Sequence, residues 1–231
     1  MAYTKRFDGR KADEIRPIEA KVGVVKRALG SASFKTGKTW AFAAVQGPKD
    51  INRFQQDPEK GVLRCNYNMM AFSGSGERVR PGPSRRSKEI SMVTGKALLP
   101  VIDLGSFPGA AIDVYIELVQ TDAGTRCAGI TAAAMALADA GIPMNDLVTS
   151  VAVGVIDNKV FVDVNKEEED YEDGMADIAV AMSVRTKKIT LLQLDGFVSR
   201  EELKKALESA YGACEKIKEV QVKALKDKYK V

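Results

Sequence analysis

The amino-acid sequence predicts an α+β protein in which mixed sheets pack against helices. Several short stretches have the apolar alternation of strands, namely residues 31–45, 62–72, 110–120, 150–164, 178–184 and 189–198. Three longer stretches have the composition or the apolar spacing of helices, namely residues 84–103, 125–141 and 199–229. The order is strands, helix, strand, helix, strands and helix, which favours mixed sheets. Because no internal repeat or domain linker is visible, we expect one domain over residues 1–231.

The first 61 residues predict a polar arm, a hairpin and a loop. Asp8-Gly9 is a turn signal within the arm. Residues 31–45 predict two strands that turn at Gly37, and Gly47-Pro48 is expected to end the second strand. The polar loop that follows contains Arg53.

A loop rich in glycine, proline and serine, residues 73–84, separates the strand at 62–72 from the first helix. It is too short for a domain linker and is typical of a surface loop over a site or an interface. The helix carries Arg85 and Arg86 in its first turn, where the helix dipole disfavours cations. Both a solvated or salt-bridged end and an anionic ligand remain open as explanations.

The centre of the sequence is the strand at 110–120, followed by the stretch 121–126 and an alanine-rich helix that is expected to stop at Gly141. Gly124 permits close approach of the backbone to a ligand, and the free N–H groups of a first helical turn attract anions. Thr125 adds a hydroxyl group and Arg126 a cationic fork. These parts predict a phosphate site. The alternative is that Asp122 caps the helix and Arg126 lies on the surface.

The C-terminal part predicts two hairpins, an acidic segment and a long helix. One hairpin is expected to turn at Asp157-Asn158 and the other near Asp195-Gly196. The acidic segment leads through Asp177 into an apolar strand, so Asp177 is expected on rigid scaffold. Ser199 and Glu202 form a capping box at the start of the last helix.

The composition limits the available chemistry. Since the chain has no histidine, it contains no Ser-His-Asp triad, Cys-His pair or histidine metal site. Cys65, Cys127 and Cys214 are far apart and predict buried thiols. The net charge of +4 permits an anionic partner without requiring one. A polar N-terminus and short apolar runs predict a cytoplasmic protein without a signal peptide or a membrane span.

Acidic residues near the C-terminal strands complete a set of groups suited to phosphate chemistry. The carboxylates are Asp170, Asp173 and Asp177. Without histidine, such carboxylates suit Mg²⁺, which prefers a few oxygen ligands together with waters and phosphates. Phosphoryl transfer requires little from a protein beyond positioning and neutralisation of charge.

Several motifs together resemble the RNase PH family over nearly the whole sequence. They are FDGR at 7–10, GSASFKTGKTWAFAAVQGP at 30–48, PGPSRRSKEIS at 81–91, TDAGTRCAGITAAAMALADAGIPM at 121–144, AD at 176–177 and ITLLQLDG at 189–196. Ala123 stands where the family usually has glycine. The resemblance implies that the single domain has an RNase PH-like fold, also described as ribosomal protein S5 domain 2-like.

The resemblance also implies an activity and its partners. It implies a 3′-to-5′ phosphorolytic exoribonuclease, in which inorganic phosphate is the co-substrate that releases nucleoside diphosphates from RNA 3′ ends. In the reverse direction, the implied reaction adds nucleotides from nucleoside diphosphates to the RNA 3′ end as a tail. The expected setting is an archaeal exosome, whose hexameric ring is a trimer of heterodimers with a related non-catalytic RNase PH-like subunit and carries RNA-binding cap subunits. The expected ligands are single-stranded RNA and Mg²⁺ or another divalent ion.

The same resemblance assigns roles to individual residues. It implies that phosphate is held by Gly124, Thr125 and Arg126, and that RNA is held by Arg85, Arg86 and Arg53. Asp177 matches an aspartate with a metal or acid role. For the second catalytic aspartate Asp170 is the first choice and Asp173 the second, so Asp170 and Asp177 are the expected metal ligands.

Two other functions remain open within the family, and one outside it. A non-catalytic ring or scaffold subunit tends to lose the phosphate arginine or the strand-start aspartate, whereas this chain keeps Arg126 and Asp177. A stand-alone RNase PH that trims transfer RNA ends is disfavoured because the GIPM segment at 141–144 and the SRR segment at 84–86 have the archaeal type of sequence. A small-molecule kinase with a related fold is disfavoured because the chain lacks a longer glycine-rich phosphate loop.

Overall fold

The computed structural model describes residues 3, 5–76, 79–80, 82–171 and 174–229, which form two sheets and four α-helices. The strands are β1 Ile18–Val22, β2 Gly30–Thr36, β3 Thr39–Asp50, β4 Val62–Met69, β5 Ala110–Gln120, β6 Val148–Ile156, β7 Lys159–Val162, β8 Ala176–Ser183 and β9 Lys188–Asp195. The α-helices are α1 Arg85–Leu98, α2 Thr125–Asp139, α3 Lys166–Glu169 and α4 Arg200–Lys228. Short 3₁₀ helices lie at Arg53–Gln55, Leu99–Val101 and Leu104–Ser106.

The first sheet has the strand order β1-β2-β3-β5-β4, and the second has the order β7-β6-β8-β9. All pairs are antiparallel except β4 and β5, which are parallel because α1 forms the crossover between them. The α+β class with mixed sheets is therefore confirmed.

Helix α2 is the central element of the core and packs against strands of both sheets. Of its residues, only Arg126 and Ala138 are not buried. A helix that is apolar on all sides belongs in an interior, and its many alanines let the two sheets approach it closely. This central helix places its N-terminal turn, at Thr125, between the two sheets.

Most of the elements expected from the sequence are present. The β2–β3 hairpin turns at Gly37 with φ of 56°, and β5 has the expected bounds. The β6–β7 hairpin turns at Asp157 and Asn158, both in the left-handed region. Ser199 caps α4 in a capping box with Glu202.

Three expectations about elements were wrong, and one strand was not expected. Strand β3 continues past Gly47-Pro48 to Asp50, because its pairing with β5 resumes after an irregularity between Gln46 and Lys49. Helix α1 ends at Leu98, since Pro100 cannot continue its hydrogen bonding. The last hairpin joins β8 and β9 through residues 184–187, so Asp195 ends a strand. Strand β1 was not anticipated in the polar arm.

The N-terminal arm is held by a group of buried ionic residues that we call the arm cluster. Its members are Tyr3, Arg6, Arg16, Asp163 and Glu168. Arg6 donates to both carboxylate oxygens of Glu168 at 2.7 Å, and Tyr3 donates to the same carboxylate at 3.0 Å. Arg16 donates from Nε and Nη2 to Asp163 at 2.9 and 2.7 Å. The arm cluster thereby fixes the segment that leads into α3.

All three cysteines are free thiols, and burial raises the pKa of each to about 12. Cys127 and Cys214 are buried as expected, and Cys65 is half-buried. Within the described ranges, no helix is both long enough and apolar enough to cross a membrane.

Candidate active site

A cleft of about 350 Å³ lies where α1, α2 and α3 begin, beside β6 and β8. Its described walls come from β4, β6 and β8, from the starts of α1 and α2, from the turn before α2, from α3, and from residues 74–76, 79–80, 82 and 84. The described charged residues that line it are Arg80, Arg86, Arg126, Lys166, Glu169 and Asp177. Four cations against two carboxylates favour an anionic ligand.

The turn before α2 is shaped for close approach of a ligand. Ala123 and Gly124 both have left-handed backbone, with φ of 54° and 62°. Gly124 is the N-cap of α2, and no described side chain caps the helix. The first N–H groups of α2 therefore remain available at the positive end of the helix dipole.

Asp122 links the turn to the acidic segment instead of capping α2, so the alternative reading of this aspartate was wrong. Its carboxylate accepts a hydrogen bond from the backbone N–H of Lys166 at 3.1 Å and lies 3.4 Å from Nη1 of Arg16. Thr39 supports the turn from the other side, where its hydroxyl accepts from Asp122 N–H at 2.9 Å and donates to the Ala123 carbonyl at 2.7 Å. The turn and α3 are thus held at a fixed separation.

Three residues that line the cleft have buried polar atoms without a hydrogen-bond partner among the described residues. They are the hydroxyl of Tyr67, Nε of Arg126 and Oδ1 of Asp177. A buried polar atom without a partner costs about 1–3 kcal/mol, so such atoms are rare in folded proteins. Their convergence on one cleft is typical of a site that a ligand completes.

The negative charge of Asp177 is only partly compensated by the cations nearby. Burial raises its pKa above the ordinary range, and the negative charges of Glu169 and Asp195 act in the same direction. Arg126 and Arg86 oppose this shift. No salt bridge joins Asp177 to either arginine in the part of the chain that the structure describes. A cation or a proton entering the cleft would relieve the unfavourable charge.

The structure brings together five of the residues expected from the sequence. Those that line the cleft are Arg86, Gly124, Thr125, Arg126 and Asp177. Asp177 is the second residue of β8, as expected for a carboxylate on rigid scaffold. The anion-binding turn and the strand-start aspartate therefore face the same space.

Three other expected residues that the structure describes do not line this cleft. Arg85 is exposed beside Arg86, and Arg53 is exposed on a 3₁₀ helix. Asp170 is directed to Lys166, whose Nζ lies 2.6 Å from its carboxylate, an i,i+4 pair at the end of α3. Asp173 lies outside the described residues. The described carboxylate that lines the cleft together with Asp177 is that of Glu169.

Sequence reasoning did not single out Glu169, Tyr67, Lys166 or Arg80 as members of the site. Glu169 was one of several acidic residues, and the anchoring of α3 through its neighbour Glu168 decides which of them lines the cleft. Tyr67 has the pattern of an ordinary strand residue. Arg80 lies in the loop at 73–84, whose length and arginine content were the available signal.

The family of the chain follows from comparison with known proteins. Residues 14–143 match domain 1 of the 3′ exoribonuclease family, RNase PH, and residues 146–213 match domain 2 of that family. The chain therefore belongs to the RNase PH family of 3′ exoribonucleases, and the expected family and RNase PH-like fold are confirmed.

Relatives of known name cover almost the whole chain. Over 226 residues the chain is 50% identical to the exosome complex component Rrp41 of Thermococcus kodakarensis, which spans 97% of this chain and 90% of that protein. Over 225 residues it is 48% identical to the exosome complex component Rrp41 of Methanopyrus kandleri, which spans 97% of this chain and 93% of that protein.

Solved structures agree with the fold. The chain matches rice (Oryza sativa) Rrp46 with a TM-score of 0.82 and 26% identity, over 94% of this chain and 98% of that one. It matches a chain of the Archaeoglobus fulgidus exosome with RNA bound to the active site with a TM-score of 0.79 and 24% identity, over 98% and 93% of the two chains. The second likeness is one of fold alone.

Proposed function

We propose that this protein is the catalytic ring subunit of an archaeal exosome, a 3′-to-5′ exoribonuclease that uses inorganic phosphate. Its membership of a 3′ exoribonuclease family and its similarity to Rrp41 proteins support the class of reaction and the setting. The use of phosphate is supported mainly by the cleft. There the start of α2, which no described side chain caps, lies with Thr125 and Arg126 in the same space as Asp177.

Inorganic phosphate would sit at the turn before α2. The first N–H groups of the helix, the Thr125 hydroxyl and the Arg126 guanidinium are all donors, and Arg126 Nε has no described partner. A phosphate oxygen attacks the phosphorus of the last phosphodiester, and the 3′ oxygen of the preceding nucleotide leaves and takes up a proton. Since phosphate is already an anion at neutral pH, this chemistry requires no histidine.

The RNA backbone would lie along the wall formed by residues 74–76, 79–80 and 82 and by the start of α1. Arg80 and Arg86 line this wall and are not paired with any described carboxylate. Such contacts grip a single strand through its phosphates and leave its sequence unread. Arg85, at the exposed end of α1, and Arg53, on its 3₁₀ helix, remain predicted RNA contacts farther along the strand.

A divalent ion such as Mg²⁺ fits the carboxylate side of the cleft. Asp177 has a buried oxygen without a partner, and Glu169 lies near enough to raise the pKa of Asp177. No group of three potential ligands exists among the described residues, so phosphate oxygens and waters would complete the coordination, as Mg²⁺ prefers. The ion would neutralise charge that develops between the two phosphates. Glu169 replaces Asp170 in this proposal, and Asp173 remains a predicted alternative.

The proposed assembly is a hexameric ring with a related non-catalytic subunit and RNA-binding cap subunits, located in the cytoplasm. The names of the Rrp41 relatives and the likeness to rice Rrp46 support a place among RNase PH-like exosome subunits. A non-catalytic ring subunit is the less favoured alternative, because this chain keeps both Arg126 and Asp177 in one cleft. A stand-alone enzyme for transfer RNA ends is less favoured because its named relatives are exosome components.

The reaction can be identified from the products of one 5′-labelled, unstructured RNA with an adenosine tail. The protein, purified with its partner subunit, is incubated with Mg²⁺ in the presence and absence of phosphate. We expect shortening only with phosphate, release of nucleoside diphosphate, and tail addition when excess nucleoside diphosphate is supplied. Release of nucleoside monophosphate without phosphate would show hydrolysis and refute the proposal.

The choice between Glu169 and Asp170 can be tested by metal binding. Mn²⁺ is titrated into the same complex and its free concentration is followed by electron paramagnetic resonance. We expect Glu169→Gln to weaken Mn²⁺ binding about tenfold, as loss of one oxygen ligand should, while the matched Asp170→Asn leaves it unchanged. The reverse ranking would return Asp170 to the site.

A further inference from the structure

Tyr67 is a rigid, buried residue on the floor of the cleft. It lies on β4 and is only 2% exposed. Its ring packs against α2 at Gly129, where a Cβ atom would lie 3.5 Å from the ring. Its backbone N–H donates to the hydroxyl of Ser91 on α1 at 2.8 Å. The backbone of Tyr67 is therefore fixed by α1 and its buried ring by α2, and together they fix the position of its hydroxyl.

The hydroxyl of Tyr67 has a polar neighbour but no well-formed hydrogen bond. It lies close enough to the Thr125 side chain to interact with it, yet no described atom meets the geometry of a full hydrogen bond to it. Burial raises the pKa of Tyr67, although Thr125, Arg86 and Arg126 oppose the shift, so the hydroxyl stays protonated at neutral pH. It is a buried donor that makes no well-formed hydrogen bond in the ligand-free protein.

We propose that Tyr67 is a positioning residue of the phosphate site and acts through Thr125. When an oxyanion occupies the turn before α2, the Tyr67 O–H donates to the oxygen of Thr125, and the Thr125 O–H donates to the anion. This inference rests on the proposed function, because it concerns the phosphate site of the same cleft.

The direction of this pair of hydrogen bonds, which we call the relay, follows from how many protons each hydroxyl can donate. A hydroxyl has one proton to donate, so a threonine that accepts the tyrosine proton must direct its own proton elsewhere. An anion is the strongest acceptor nearby, and a chain of two hydroxyls that ends on an anion is polarised along its length. Tyr67 thus selects the orientation of the Thr125 hydroxyl that suits phosphate.

A purely structural role explains Tyr67 less well. A phenylalanine would fill the same space between β4 and α2 without burying a hydroxyl that lacks a partner. Such a hydroxyl lowers the stability of the ligand-free protein. A cost of this kind in the unbound state is expected where the group serves a ligand.

The test compares Tyr67→Phe with a matched variant. Thr94→Val removes another buried hydroxyl without a partner, on α1 and outside the cleft lining. Binding of inorganic phosphate to the ring complex is measured by calorimetry without RNA, and the KM for phosphate is measured with RNA. We expect Tyr67→Phe to weaken phosphate binding and raise this KM about three- to tenfold, the worth of one hydrogen bond. Thr94→Val should leave both values unchanged.

Two further measurements separate this role from a structural one. The melting temperature of ligand-free Tyr67→Phe should equal or exceed that of the wild type, because only an unpaired hydroxyl is lost. In a Thr125→Val background, Tyr67→Phe should have no further effect on phosphate binding, since the relay is already broken. A lower melting temperature for Tyr67→Phe, or additive effects on phosphate binding, would overturn the inference.

The source of the bound oxyanion is distinguished in the same set of experiments. RNA binding without phosphate should not change in Tyr67→Phe, and a loss of RNA binding with unchanged phosphate binding would overturn the assignment. If the wild-type complex binds no phosphate and does not need it for turnover, the proposed function fails. If the wild type binds phosphate and Tyr67→Phe binds it equally well, only the present inference fails.

Discussion

The arm cluster and the cleft both bury charged groups, but they differ in how those groups are satisfied. In the arm cluster the fully buried Glu168 accepts two hydrogen bonds of 2.7 Å from Arg6, and Asp163 is paired in the same way with Arg16. In the cleft, Nε of Arg126 and Oδ1 of Asp177 are buried and have no described partner. The first arrangement completes the fold, whereas the second leaves donors and acceptors for a ligand.

These two regions meet at adjacent residues of the chain. Glu168 faces inward to Arg6, and its neighbour Glu169 lines the cleft. Both belong to α3, whose start is fixed by a capping box between Asn165 and Glu168. The same carboxylate of Glu168 therefore anchors the arm, caps the helix and sets the direction of Glu169. A buried charge in this protein therefore has a structural role where a partner satisfies it and is available to a ligand where no described partner does.

The largest effect is expected for Asp177→Asn, which removes charge from the cleft. Turnover of labelled RNA should fall by about 10²–10⁴-fold, because a group that stabilises the transition state is lost. The melting temperature should rise by roughly 2–4 °C, since a carboxylate with an unfavourable environment becomes neutral. Rapid-quench kinetics and calorimetry measure the two effects. Unchanged turnover would remove Asp177 from the reaction.

The matched change in the arm cluster is Glu168→Gln, for which the opposite pattern is expected. Breaking a buried ion pair leaves Arg6 without its counter-charge and costs about 3–5 kcal/mol. The melting temperature should therefore fall by roughly 10 °C, as measured by calorimetry. An equal or higher melting temperature would mean that the arm cluster does not stabilise the fold, and the contrast between the two regions would disappear.

A smaller effect is expected for Arg126→Ala, which removes one donor from the anion site. The KM for phosphate should rise about 10- to 100-fold, because charge-assisted hydrogen bonds to phosphate are strong. The melting temperature should change little, since Arg126 forms no ion pair with any described residue. Steady-state kinetics at saturating RNA provide the measurement. A variant that saturates at the wild-type phosphate concentration would contradict the assignment.

The smallest effect concerns the pH dependence of stability through Asp163. Burial alone would raise its pKa, but the hydrogen bonds and charge of Arg16 hold the pKa below the ordinary range. Its contribution is therefore complete above the unfolded-state pKa of about 3.9 and is lost as pH falls through the lower folded-state value.

Asp163→Asn tests this dependence without straining the backbone. Asp163 has a φ of 54°, a left-handed conformation that asparagine tolerates well. Melting temperatures measured from neutral to acidic pH should decline less steeply below about pH 4 in the variant than in the wild type. Parallel declines would show that Asp163 does not account for this part of the acid sensitivity.

The sequence supported the prediction of the central parts of the fold and site because their signals are local. The strand that ends at Gln120, the turn at Gly124 and the strand that starts near Asp177 all have short-range patterns, and the motifs resemble a known family. Contacts between distant residues were not predictable in this way. Tyr67 enters the cleft only because β4 pairs beside β5, and Glu169 enters it only because Arg6 holds Glu168. The choice of Asp170 came from the spacing in the family that the chain resembles, and that spacing contains no information about such a long-range contact.

The central claim is that an inorganic oxyanion binds at the start of α2, within reach of Asp177. The most direct measurement is a crystal structure of the protein, with its partner subunit, grown with phosphate. We expect the anion to contact the Thr125 hydroxyl and the Arg126 guanidinium, on the side of the cleft that faces Asp177. An empty turn, with Arg126 closed onto Asp177 in an ion pair, would contradict the account.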